Sequence, residues 1–339
     1  MLKVEGLVTG YQGKDGFVRA VDGVSFDIEK GETVCIVGES GSGKSVTSMS
    51  VMRLVEFENG EIVSGSIEYR GEELTTKSNE EMRKIRGAEI SMIFQEPLTA
   101  LNPVFTIGQQ IVEAIRYHEP LKKKEAMDKA EDLLTLVGLS EPKTRLKQYP
   151  HELSGGMRQR VMIAIALASK PKLLIADEPT TALDVTIEAQ ILELLRKLRD
   201  EEDMSIMLIT HDIGVAAELS HRIIIMYAGK VMEIAETSDL FERPYHPYTK
   251  GLLESIPKMS GARGELLPTI EGTIPGVNQM PEGCRFAPRC SFATEKCHKE
   301  EPALQKMGRR DVACWHVEEF AASQLDPFPG KEDPVESKS

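Results

Sequence analysis

TVCIVGESGSGKS, residues 33–45, is the stretch on which the fold turns. Thr33, Val34, Cys35, Ile36 and Val37 make a short, largely apolar run, which predicts a buried parallel strand. The run leads directly into the pattern G-x-x-x-x-G-K-[ST], from Gly38 through Ser40, Gly41, Ser42, Gly43 and Lys44 to Ser45. A glycine loop between a strand and a helix brings backbone N–H groups close to phosphate oxygens, at a helix end that favours negative charge. In that setting Lys44 is expected to neutralise the outer phosphates and Ser45 to ligate Mg²⁺. An ordinary glycine turn is the competing reading, and the strand immediately upstream argues against it.

Leu173, Leu174, Ile175 and Ala176 run into Asp177 and Glu178 within LLIADEP, residues 173–179. This pattern fits a central strand delivering two carboxylates at its C-terminal edge, where open α/β sheets bind ligands. Asp177 is the expected partner of the Mg²⁺ shell and Glu178 the expected general base toward the attacking water. Adjacent acids at a strand end also make solvated turns, but that reading leaves the upstream phosphate loop unexplained. Between the two segments lies LSGGM, residues 153–157, in which Ser154, Gly155 and Gly156 read as the start of a capped helix. Met157, Val161, Ile165 and Ala168 continue it with near-helical spacing. A serine hydroxyl beside bare glycine amides suits an anion, although a capped helix without a ligand has the same sequence.

In this order the three motifs resemble those of the ABC transporter ATP-binding subunits, over roughly residues 1–255. The resemblance implies an α/β fold: a P-loop core with a mixed sheet and flanking helices, an antiparallel β subdomain, and an inserted helical subdomain at about 96–165. It implies ATP and Mg²⁺ as ligands, with two nucleotides sandwiched in a head-to-tail dimer. Ser154, Gly155 and Gly156 then act on the ATP held by the opposite subunit. Gln95, in IFQEP, matches the glutamine that senses Mg²⁺ and the attacking water. Asp184, in the ALD of residues 182–184, belongs to the loop that crosses the dimer interface, and His211, in LITHD, matches the switch histidine on the γ-phosphate. A lone histidine after a strand is more often structural; its place downstream of the acidic strand favours the functional role. For the adenine ring the resemblance points to an aromatic residue upstream of the loop, Tyr11 first and Phe17 as its substitute.

Residues 1–75 alternate short β-like runs with turns. From about Thr76 to Gly138 the apolar residues take helical spacing, interrupted at Pro97, Pro103 and Pro120. Residues 177–234 return to strand and helix alternation, and RIIIMYAGKVMEI, residues 222–234, reads as a hairpin turning at Ala228 and Gly229. Glu96 to Tyr117 is where the resemblance places the surface that receives a cytoplasmic helix of a transmembrane subunit; the residues alone equally describe a proline-broken loop. Across the 339 residues a formal net charge of −13 argues against a nucleic-acid partner held by phosphate neutralisation. No stretch reaches the ~18–20 apolar residues that span a bilayer, and MLKVEGLVTG lacks a signal-peptide pattern. Association with the cytoplasmic face of a membrane is therefore expected through protein partners.

LFERPYHPYTKGLLESIP, residues 240–257, and IPGVNQMPEGCRFAPRC, residues 274–290, resemble the C-terminal extension of the oligopeptide and dipeptide import ATPases. That resemblance implies ATP-driven peptide import with a second, related ATPase subunit, as a heterodimer or, in isolation, a homodimer. It also implies two transmembrane permease subunits and an extracytoplasmic substrate-binding protein. Nickel or other metal complexes and short oligosaccharides are alternative cargoes. A soluble ABC ATPase of DNA repair or translation is a more distant reading, whose usual coiled coil or duplicated cassettes the sequence lacks.

The extension is assigned to 256–323 and the charged, proline-bearing residues 324–339 to a disordered tail. It carries four of the five cysteines: Cys284, Cys290, Cys297 and Cys314. Cys35, in the strand before the phosphate loop, reads as a small buried hydrophobe. The gaps of five, six and sixteen residues match neither the paired C-x₂-C of structural zinc nor the common ferredoxin spacings. Disulfides are disfavoured in the reducing compartment of such an ATPase. Spacing leaves the choice open; the resemblance ranks a 4Fe–4S cluster first, Zn²⁺ second and unligated thiols third. A structural staple is the default role for such a group in a small extension.

Overall fold

The computed structural model describes residues 1–13, 16–96, 100–181, 183–256, 269–276 and 279–323. In chain order its strands are β1 (Leu2–Gly13), β2 (Gly16–Ile28), β3 (Thr33–Val37), β4 (Gly60–Tyr69), β5 (Glu72–Glu73), β6 (Ile90–Ile93), β7 (Leu173–Asp177), β8 (Ser205–Thr210), β9 (Arg222–Tyr227), β10 (Lys230–Glu236), β11 (Gln305–Met307) and β12 (Arg310–Val312). They form two sheets. The smaller is antiparallel, in the order β2-β1-β4-β5. Its inward residues Leu2, Val4 and Ile67 are buried while Lys3, Glu5 and Glu68 face outward, the alternation of a sheet with one covered face.

The larger sheet runs β11-β12-β10-β9-β3-β8-β7-β6. From β9 to β6 neighbouring strands are parallel, and every residue of β3, β6, β7 and β8 is buried, because both sheet faces are covered. Register places Val37 opposite Thr210, Asp177 opposite Ile209, and Ile93 opposite Ala176. The C-terminal ends of four strands therefore finish along one edge, and the chain leaves that edge at Gly38, His211, Glu178 and Phe94.

Between β6 and β7 lie the helices Ile107–His118, Lys123–Leu136, Pro142–Arg145 and Gly155–Ala166. Thr106 and Gln109 close a capping box at the first of them. Ile111, Ile115, Ala130, Leu134 and Val161 join these helices to the main core. The helical spacing expected from Thr76 to Gly138 is broken at Ile90–Ile93, which is β6. Four consecutive buried residues have no period that separates strand from helix, and pairing with β7 decides the outcome. Pro103 sits in a turn and Pro120 follows the end of helix Ile107–His118, as breakers do; Pro97 lies outside the described residues.

The hairpin at residues 222–234 forms as expected, with Ala228 at φ 47° and Gly229 at φ 82°, the positive φ pair whose twist suits a two-residue turn. The C-terminal extension does not fold apart from this sheet. Its strand β12 pairs with β10, Val312 opposite Glu233, and β11 pairs with β12. Phe286, 3% exposed, sits against the Tyr227 and Tyr248 rings at centroid distances of 5.3 and 5.2 Å. Pro257, Val277, Asn278 and the tail from Gln324 lie outside the described residues. Among the described residues no helix is long and apolar enough to cross a membrane.

Candidate active site

The loop after β3 turns through Gly41 at φ 79° and Gly43 at φ 97° into helix Lys44–Val51. A Cβ on Gly38 would stand 2.1 Å from the Met226 carbonyl oxygen, so only glycine allows the loop to close on β9. Lys44 is 6% exposed, and its Nζ donates to the carbonyls of Gly38 at 2.7 Å and Glu39 at 3.0 Å. Burial lowers the Lys44 pKa, against the pull of the Glu178 and Asp177 carboxylates. The Ser42 hydroxyl is buried without a hydrogen-bond partner, an orphaned group in the loop that a phosphate oxygen would satisfy. Ser40 is exposed at the cavity mouth.

Ser45 Oγ donates to Asp177 Oδ1 at 3.2 Å. Asp177 is 4% exposed; burial, helped by the neighbouring Glu178 charge and opposed by the Ser45 hydrogen bond and Lys44, pushes its carboxyl up to about 6. A hydroxyl and a carboxylate at this separation, beside a buried lysine, are donors of the hard oxygen type that Mg²⁺ takes.

Glu178 is the centre of a second group. Its Oε2 accepts from Gln95 Nε2 at 3.0 Å and from Thr181 Oγ1 at 2.8 Å, and its Oε1 lies 3.3 Å from His211 Nδ1. These residues come from the ends of three parallel strands. Gln95, Glu178 and His211, with Gly38, Glu39 and Ser40, line one cavity of about 750 Å³. Thr181 was not singled out in the sequence, although its place in DEPTT, three residues after Glu178, was a usable signal. Leu252, Gly272, Thr273 and Ile274 also line the cavity and carried no local sign of doing so.

Ser154, Gly155 and Gly156 stand elsewhere. Ser154 Oγ accepts from the Met157 N–H at 3.4 Å and caps helix Gly155–Ala166, as read from the sequence. Nothing lies within 4 Å of a Cβ built on Gly155, while one on Gly156 would meet Ile187 at 3.1 Å. Asp184 caps helix Val185–Glu202 by accepting from the Ile187 N–H at 3.0 Å. The two helix starts are therefore neighbours, and Ser154, Gly155 and Asp184 are all exposed; Ala182 lies outside the described residues. Tyr11 is half-buried, its ring beside Gly60, and Phe17 is 40% exposed, its ring over Gly10. Neither ring lines the cavity at Glu178.

The four extension cysteines are free thiols, and Cys35 is fully buried in β3. Backbone N–H groups of Phe286 and Ala287 point at the Cys284 sulfur, that of Phe292 at Cys290, and that of His316 at Cys314 at 3.4 Å. The Cys284 N–H donates to the Cys297 carbonyl at 2.8 Å, and Thr294 Oγ1 lies 3.5 Å from Cys297 Sγ. The expectation of a metal site on these residues is not met as such: among the described residues no group of three or more His, Cys, Asp or Glu side chains is placed to hold a metal ion. Without a bound metal, burial pushes Cys284 up to about 11 and Cys314 up to about 12, and raises Cys290, so a metal would have to displace these protons on binding.

This geometry is matched by what the chain resembles. Residues 21–181 match the ABC transporter family, and residues 232–297 match the oligopeptide/dipeptide transporter C-terminal region. The oligopeptide transport ATP-binding protein AppD of Bacillus subtilis (strain 168) is 54% identical over 326 residues, covering 96% of this chain and 99% of that protein. The chain belongs to the ABC transporter ATP-binding subunits of the oligopeptide and dipeptide importer family. A putative peptide import ATP-binding protein of Brucella melitensis biotype 1 is 49% identical over 95% of this chain and 98% of its own length. Among solved structures, the ATP-binding cassette MJ0796 in a dimeric post-hydrolysis state with ADP and Pi is 30% identical, with a TM-score of 0.64, covering 70% of this chain and 99% of that one.

Proposed function

We propose that the chain hydrolyses ATP to power import of oligopeptides or dipeptides through a membrane transporter, as a peripheral subunit at the cytoplasmic face. One observation carries the reading: Gln95, Thr181 and His211 converge on the Glu178 carboxylate, which shares a cavity with the phosphate loop. Glu178 takes the proton of the attacking water, Gln95 and Thr181 orient that carboxylate, and His211 serves as a donor to the γ-phosphate. Lys44 and the loop amides hold the β and γ phosphates, and Tyr11 stacks on adenine, with Phe17 as the alternative ring. Ser45, Asp177 and Gln95 hold Mg²⁺, which supplies neutralising charge to the phosphates when bound.

Ser154, Gly155, Gly156 and Asp184 serve the nucleotide of a second ATPase subunit, a related but distinct chain. Their support is exposure on one face at two adjoining helix starts, which also suit an anion. The permease subunits dock where Phe105, Gln110, Ala114 and Tyr117 line a groove of about 520 Å³, with Phe105 and Tyr117 45% and 55% exposed. An extracytoplasmic binding protein delivers the cargo to them. We further propose that Cys284, Cys290, Cys297 and Cys314 hold a 4Fe–4S cluster, Zn²⁺ being the alternative. Their support is four free thiols, three of them facing backbone N–H donors of the kind that stabilise thiolate ligands.

Purification from membranes is expected to bring two permease subunits with the chain, and peptide-loaded binding protein to raise the ATPase rate of the assembly. Copurifying nucleic acid without permease would move the chain to repair or translation. Anaerobic protein is expected to absorb broadly near ~400 nm with about four irons per chain; stoichiometric zinc without iron would replace the cluster.

A further inference from the structure

Two arginines sit beside the first two extension cysteines, and both reach back to the cassette. Arg285 donates to the Ala228 carbonyl and pairs with Asp22. Arg289 reaches the phosphate loop itself. Its side chain is 5% exposed, and its Nη1 donates to Glu39 Oε1 at 3.1 Å and Oε2 at 3.0 Å. The remaining donors are committed to the same pose: Nη2 to the Ile270 carbonyl at 3.0 Å and Nε to the Glu271 carbonyl at 2.9 Å, with the guanidinium 5.6 Å from the Tyr227 ring centroid.

Glu39 is thereby held at three points. The Arg289 guanidinium takes its carboxylate, Tyr248 Oη accepts from its N–H at 3.1 Å, and Lys44 Nζ donates to its carbonyl at 3.0 Å. Two of these anchors come from the C-terminal region, 209 and 250 residues along the chain. Glu39 also lines the cavity with Ser40, Glu178 and His211. A free carboxylate there would repel a polyphosphate, and with the arginine side chain 5% exposed solvent screens their pairing weakly.

We propose that Arg289 is a positioning residue for ATP binding: by neutralising Glu39 and fixing its direction it keeps a negative charge off the phosphate site, so that nucleotide affinity depends on the folded extension. The proposal rests on residues 38–45 being the ATP phosphate loop. The test is equilibrium binding of MgATP to the full chain, with steady-state KM and kcat. Arg289→Ala is expected to weaken binding about tenfold or more, with KM rising in step and kcat at saturating ATP changing little. Glu39→Gln in the same chain is expected to restore affinity to within about threefold of the unaltered protein, because the charge needing neutralisation is gone.

Unchanged affinity in Arg289→Ala, or a double variant as weak as the single one, would overturn the proposal. Should Arg289→Ala fail to fold, Arg289→Lys and the single Glu39→Gln carry the test, the first expected to bind more weakly and the second at least as tightly as the unaltered chain; the reverse order overturns it. Lys44→Ala separates the two readings: if it too binds ATP normally, the phosphate loop assignment itself has failed.

Discussion

Glu178 adopts φ 46°, a left-handed conformation that an L-residue with a Cβ avoids, immediately after the buried end of β7. Its N–H donates to the Ile209 carbonyl at 2.9 Å, so the neighbouring strand holds the backbone in that pose and aims the carboxylate into the cavity. His246 shows a different single-residue effect, on stability. Its Nδ1 accepts from the Tyr248 N–H at 3.0 Å and its ring is bonded to the Ala313 backbone, and burial pushes its pKa down to about 3. The unfolded chain protonates this histidine near its ordinary value of 6.5, so the unfolded state binds more protons between 6.5 and about 3. His246 therefore costs no stability above pH 6.5, and stability is lost progressively as pH falls below it, by about 2 kcal/mol at pH 5. Urea unfolding at pH 7 and pH 5 is expected to show that extra loss in the unaltered chain and not in His246→Gln; equal losses would show that the buried ring is not the source. Glu178 and Ser154 were legible in the sequence because the strand end and the helix cap that mark them are made of adjacent residues. The Arg289 contact with Glu39 was not, since no spacing rule relates residues 250 apart.

At the scale of an element, helix Gly155–Ala166 separates capping from ligand binding. Ser154→Ala removes the bond to the Met157 N–H and is expected to lower stability by about 1 kcal/mol. Ser154→Asp keeps a capping oxygen but adds negative charge where the partner's phosphate would sit. It is expected to leave the melting temperature near that of the unaltered protein while cutting steady-state hydrolysis about a hundredfold. An Asp variant that hydrolyses ATP normally would make Ser154 a cap and nothing more. Elements were readable where residues set them locally: the cap at Ser154, the turn at Ala228 and Gly229, and the loop before Lys44. Strand β6 was not, because ISMI is short enough to suit a buried strand or a buried helix, and only its pairing with β7 distinguishes them.

For the whole molecule, Ser154 and Asp184 do not line the cavity at Glu178, and under the proposed function each chain would complete the other's site. Glu178→Gln should then accumulate as an ATP-loaded dimer. Size-exclusion chromatography with MgATP is expected to show a doubling of mass that the unaltered chain, which hydrolyses its nucleotide, does not retain, and turnover is expected to fall by about 10²–10⁴. Undiminished hydrolysis would remove Glu178 from the role of base.

By itself the sequence determined the phosphate loop and its strand, the acidic strand end, the capped helix at Ser154, the hairpin and the importer-type extension. The first four are specified by residues a few positions apart, through strand periodicity, glycine conformation or a cap; the extension was legible only through its resemblance to a family. Tertiary structure alone decided that Thr181 joins Gln95 and His211 at Glu178, and that β12 extends the main sheet. It also decided that Arg289 grips the phosphate loop. Those outcomes depend on sheet order and on ion pairs between distant segments, neither of which leaves a local pattern in the chain.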